Sequence, residues 1–142
     1  MIPWDKIHGA TTHFPIALLL FSTACDFVSV TFKKLTFAQE LRLVSFYGLA
    51  VAALASFGAV ISGIALTKGD LWGRGYFAWH HRFVWPAFGL LVALAVWRLV
   101  ARNGMSRSGL CVYLLLMLLA SGFVAAAGYF GGELLLSGGS VP

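Results

Sequence analysis

Residues 43–66 read LVSFYGLAVAALASFGAVISGIAL, running from Leu43 to Leu66 without an Asp, Glu, Lys, Arg or His. At 1.5 Å per residue such a run makes a helix of about 36 Å, enough to cross a hydrocarbon core of about 30 Å. Three more apolar runs, Phe14–Phe32, Phe83–Val100 and Leu110–Phe130, are long enough to do the same. None alternates with period two, which excludes a small β-barrel. The composition agrees. Of 142 residues, 60% are hydrophobic and 11% charged, whereas a soluble domain is roughly 45–50% apolar. Mean hydropathy is +0.87, and a soluble chain this short has too much surface for its volume to hide so much apolar area. The sequence therefore predicts an all-α integral membrane four-helix bundle, one domain over residues 1–142. Short connections set successive helices antiparallel. No internal repeat is evident.

Charge orients the bundle. Lys33, Lys34, Arg42, Arg98, Arg102 and Arg107 flank the first and third connections, with Glu40 the one acid there. Lys6, Lys68, Arg74 and Arg82 lie on the other side with Asp5, Asp70 and Glu133. The positive-inside rule puts both termini on the periplasmic side of a bacterial inner membrane, as a multi-pass protein. Basic residues scattered between apolar runs exclude a nucleic-acid partner. Ser22-Thr23-Ala24-Cys25 after an apolar run loosely imitates a lipoprotein signal. Asp5 offsets Lys6, however, and Ser22 stands where a Leu-like residue belongs, so the run is read as a span. Cys25 and Cys111 sit in apolar runs, where a cysteine behaves as a small hydrophobe.

The polar chemistry collects at one end. His8 and His13 are expected just before helix one, with Pro15 suited to its first turn; His80 and His81 are expected just before helix three. Both helices run the same way, so all four histidines of the chain share one depth and one face. Isolated interfacial histidines commonly do nothing, but two parallel helices offering imidazoles at matched height can hold a haem iron axially. Arg74 and Arg82 are close in sequence and could pair with haem propionates; binding of lipid headgroups explains them equally well. His80 and His81 lie about 100° apart on a helix, so only one can be an inward ligand. The other is left for a second site, a hydrogen bond or a quinone headgroup.

Ala52, Ala55, Ser56, Ala59, Ser62 and Gly63 give helix two a small-residue surface for close packing. Trp4, Trp72, Tyr76, Trp79 and Trp85 form an aromatic belt. Asp26 is an acid well inside a span, far from the histidines, and calls for a polar partner or the interface. No nucleotide loop, nucleophile triad or Cys-x-x-Cys motif is present.

His8-x4-His13-Phe14-Pro15-Ile16-Ala17-Leu18, the acid later in helix one, the histidine opening helix three and Gly128-Tyr129-Phe130-Gly131-Gly132-Glu133-Leu134 together resemble one family. It is a small bacterial four-helix membrane family described as a domain of unknown function, some members of which are fused to Rieske-type iron–sulfur domains. The resemblance covers nearly the whole chain and implies a membrane bundle in redox company. Two departures stand out: Gly138-Gly139 where relatives carry His-Gly, and Gly9 where they carry Pro.

The residues thus lead to an expectation of a b-type haem near the periplasmic face. Electrons would pass between quinol or quinone and a periplasmic cytochrome or Rieske-type protein, within a larger membrane complex. His13 with His80 or His81 is the first axial pair, and His8 with the remaining histidine could hold a second haem or another metal. The alternative is a non-redox accessory or assembly subunit packed against other membrane proteins and lipid. A copper or zinc transporter fits less well, since the spans carry no ladder of Met, Cys or acidic residues.

Overall fold

The computed structural model describes residues 2–102 and 104–136. Four helices follow in order: α1 (Trp4–Thr31), α2 (Ala38–Leu66), α3 (Tyr76–Ala101) and α4 (Arg107–Leu136). All four are long and apolar enough to cross a membrane, and no strand occurs among the described residues. A helix is the one open-ended element that satisfies its backbone polar groups internally, which hydrocarbon demands.

Each helix begins before its apolar run. α1 opens at Trp4, so His8 and His13 lie inside it and Pro15 is an internal proline. α3 opens at Tyr76, which puts His80 and His81 in its second turn. Hydropathy marks where hydrocarbon begins, whereas the hydrogen-bond ladder continues through the polar interface. α2 closes in a Schellman turn: Gly69 N–H donates to the Ile64 carbonyl at 2.9 Å and Lys68 N–H to Ala65 at 3.3 Å. Lys68 takes the left-handed position at φ 54°.

The helices form two hairpins. α1 packs along α2 and α3 along α4, while α2–α3 and α1–α4 contacts join the halves. The burial pattern of one half repeats in the other. Pro15, Leu19, Ser22, Thr23 and Asp26 of α1 are buried, and so are Ala87, Leu91, Leu94, Ala95 and Arg98 at the same spacing in α3. Between α2 and α4, Leu49 answers to Met117 and Ala52 to Ala120, all four fully buried. The two hairpins thus repeat one burial pattern, a correspondence of the kind found between parallel repeats of membrane proteins. The repeat escapes a reading of residue identity because it is one of size and burial.

At the end of the bundle away from the termini, Asp26 and Arg98 occupy equivalent positions, and they bind each other. Arg98 Nη2 donates to Asp26 Oδ1 at 3.2 Å, and Tyr113 Oη donates to Asp26 Oδ2 at 2.9 Å. Both charged side chains are almost fully buried. Arg98 Nη2 also reaches the Arg42 carbonyl at 3.4 Å, and the guanidinium lies 5.2 Å from the centre of the Tyr113 ring. Arg98 is therefore a core residue and not a flank of the third connection, which leaves five basic residues against four in the orientation count.

Removing one member of a buried ion pair strands the other charge at about 3–5 kcal/mol, while replacing both with apolar residues is often neutral. Asp26→Leu alone is expected to lower the detergent unfolding midpoint sharply, and Asp26→Leu with Arg98→Met to recover most of the loss. Additive losses in a double-mutant thermal melt would contradict the pairing.

Candidate histidine site

His8 and His80 stand at equivalent places near the terminal end of the bundle, each in the second turn of its helix. The ring of His8 reaches across to α2, where Nδ1 lies 3.1 Å from the Ala59 carbonyl oxygen and 3.1 Å from Ser62 Oγ. The ring of His80 reaches across to α4, where Nδ1 lies 2.8 Å from the Ala127 carbonyl oxygen. A carbonyl can only accept, so Nδ1 carries the proton in both rings. Each neutral ring then has its lone pair on Nε2, and no hydrogen bond engages either Nε2 among the described residues.

The facing helices make room for these rings in the same way. A Cβ at Gly63 would stand 3.0 Å from His8 Cε1, and one at Gly131 would stand 3.1 Å from His80 Nδ1. Each glycine follows its acceptor carbonyl by one helical turn, as Ala59 to Gly63 and Ala127 to Gly131. The rings of His8, His80 and His81 lie within electrostatic range of one another.

Around His8 the surroundings are polar: Thr11 Oγ1 lies 2.9 Å from Ser62 Oγ, which itself donates to the Ala59 carbonyl at 2.9 Å. Around His80 they are aromatic. Phe83 and Phe130 stack at 5.6 Å, and Trp79 stacks on Phe130 at 5.9 Å. The two halves share a scaffold and differ in its lining.

His13 and His81 are placed differently. His13 is exposed, with Nδ1 bonded to the Gly9 carbonyl of its own helix. Five residues from His8, it lies about 140° round the helix and so does not join the other three. His81 is 8% exposed and is held between Phe77, at 4.2 Å between ring centres, and Trp85, at 6.1 Å. The 67–75 connection folds back over it. Trp85 Nε1 donates to the Leu71 carbonyl at 3.1 Å. Gly73 has φ 62°, so the backbone there favours glycine.

Arg82 is exposed, with its guanidinium 4.6 Å from the centre of the Trp79 ring; Arg74 is exposed in the connection. Among the described residues, no three His, Cys, Asp or Glu side chains converge as a metal-ion site. The site is a matched pair of imidazoles. Of its acceptor carbonyls and glycines, Ala59 and Gly63 read in the sequence as small-residue packing on α2 and Gly131 as part of the Gly128–Leu134 motif, while Ala127 gives no signal there; Gly138-Gly139 lies outside the described residues.

Asp70 anchors the connection through its carboxylate, which accepts the Gly73 N–H at 2.9 Å and the Trp72 N–H at 3.1 Å. These bonds, that from Gly73 foremost, hold its pKa below the ordinary carboxylate value. The sign follows: the carboxylate steadies the fold above the unfolded-state pKa and loses that effect as pH falls through the lowered native one. Hydrogen exchange at the Trp72 and Gly73 amides is expected to accelerate as pH falls through the acid range, after correction for intrinsic rates. Asp70→Ala should show the fast exchange at neutral pH. Equal protection in both proteins at neutral pH would dismiss the anchor.

Residues 5–140 match the family described as "Predicted membrane protein (DUF2231)", and the chain belongs to that family. This bears out the resemblance read from His8 through Pro15 and from Gly128 through Leu134. No curated protein and no solved structure matches the chain.

Proposed function

For this member of the four-helix membrane family, we propose a b-type cytochrome-like electron-transfer subunit that holds haem between α1 and α3 through His8 and His80. The observation that carries the reading is the matched pair of rings, each with its Nδ1 proton committed to a backbone carbonyl and no hydrogen bond on its Nε2 among the described residues. Metal-binding histidines are oriented by such outer bonds, which fix the tautomer and raise the basicity of the ligating nitrogen. An iron porphyrin between two imidazoles supplies one-electron transfer.

The chain's own part is positional. The Ala59 and Ala127 carbonyls hold the two ring planes, and Gly63 and Gly131 give the rings space. The Asp26–Arg98 pair fixes the separation of α1 and α3 from the far end. Arg74 and Arg82 are exposed at the histidine end and suited to carboxylate partners. On the charge count that end is periplasmic in a bacterial inner membrane. The circuit then runs between membrane quinol or quinone and a periplasmic cytochrome or Rieske-type protein, inside a larger membrane complex.

His8, rather than His13, the first choice on sequence, would hold the group with His80, because His13 is exposed and bonded within its own helix. With one matched pair, one haem suffices. A second reading, a non-redox accessory subunit, has an observation in its favour: the same Nδ1 bonds already clamp α1 to α2 and α3 to α4.

Protein purified after haem-replete expression is expected to carry about one haem per chain by pyridine haemochrome, with a reduced b-type spectrum. His8→Ala and His80→Ala should each abolish the Soret band, and His13→Ala should leave it. Absence of haem from the folded wild type would reject the cytochrome and leave the accessory reading.

A further inference from the structure

His81 Nδ1 is sealed from solvent without a hydrogen bond, although the ring also engages the backbone of Trp72 in the 67–75 connection. A polar atom left so inside a protein costs about 1–3 kcal/mol and signals a missing partner. The missing partner has a definable chemistry. His81 lies in the second turn of α3, at the depth where a membrane span meets the headgroups, so the ligand must be soluble in lipid. Its walls are the rings of Phe77 and Trp85, which favour a flat ring. It carries an oxygen that can meet an imidazole nitrogen in either tautomer.

We propose that His81 Nδ1 binds the headgroup oxygen of a membrane quinone or quinol, seated against Phe77 and Trp85 beside the His8–His80 pair. A quinone carbonyl accepts from Nδ1–H, and a quinol hydroxyl donates to the Nδ1 lone pair. A water molecule could satisfy the nitrogen alone but would have no use for the aromatic walls. Both walls are only half-buried, so a ring edge can enter by displacing one of them. The headgroup would lie next to His80, whose ring centre is 5.6 Å from that of His81. The role of the site in electron transfer rests on the reading above; the binding itself does not.

The test is therefore made on haem-free protein. Detergent-purified wild type is titrated anaerobically with decylubiquinol, and separately with decylubiquinone, following tryptophan quenching. Saturable binding of at least one form is expected. His81→Gln, which moves the polar atoms away from the Nδ1 position, should weaken it about ten-fold, the worth of one hydrogen bond near 1.4 kcal/mol. His81→Asn, whose amide falls near the Nδ1 position, should retain most of the affinity. Thermal melts confirm that both variants fold. No saturable binding by wild type, or the same affinity in wild type and His81→Gln, overturns the proposal and assigns Nδ1 to a buried water. Haem uptake without quinone binding removes this inference alone. Quinone binding by a protein that never takes up haem removes the cytochrome and leaves this site.

Discussion

A carboxylate and a guanidinium buried together inside a membrane bundle cannot part without one of them facing hydrocarbon alone. That constraint organises this protein. Helices in lipid gain little from hiding apolar faces, because the lipid is as apolar as the core, so small-residue packing and polar bonds must hold them. Asp26 and Arg98 supply such a bond between α1 and α3, helices that have little other reason to meet, since each packs mainly along its own hairpin partner. Tyr113 brings α4 into the same cluster through its hydroxyl.

The histidine end depends on that arrangement. About 27 Å of helix separates His8 from Asp26 and His80 from Arg98 at 1.5 Å per residue. With the far ends tied, the near ends of α1 and α3 are carried to equal height. Each imidazole is then set locally, by one carbonyl and one glycine on the adjoining helix. The site is thus specified twice, from a distance by the ion pair and at hand by the hairpins. His81 answers to the 67–75 connection instead, so neighbours in sequence are held by different elements.

Much of this was legible beforehand, and the failures have physical causes. Four apolar runs announce four helices because hydrocarbon admits no other open-ended element. The helices start earlier than the apolar runs, because hydropathy reports the solvent around a helix and not its backbone. Arg98 reads as an orienting surface charge because a lone arginine at the edge of an apolar run looks alike whether it faces headgroups or a carboxylate. Asp26 did signal that it wanted a partner, but not which one. The pair His8–His13 drew attention to His13 through a compact motif, although five residues along a helix point two side chains well apart. The internal repeat was hidden by its own substitutions: Leu49 stands opposite Met117, and Asp26 opposite Arg98, equivalent in place and unlike in letter.

That last substitution has a consequence for assembly. Were the first hairpin to pair with another copy of itself, Asp26 would meet Asp26 within the membrane; two second hairpins would set Arg98 against Arg98. Only unlike halves are compatible, so the charges act as a mating code between hairpins. The code does not distinguish the second hairpin of the same chain from that of a neighbouring one. The short connection over residues 67–75 does. Its tethering keeps the match within one chain; lengthening that connection would open the way to hairpins exchanged between two chains, with every buried charge still satisfied.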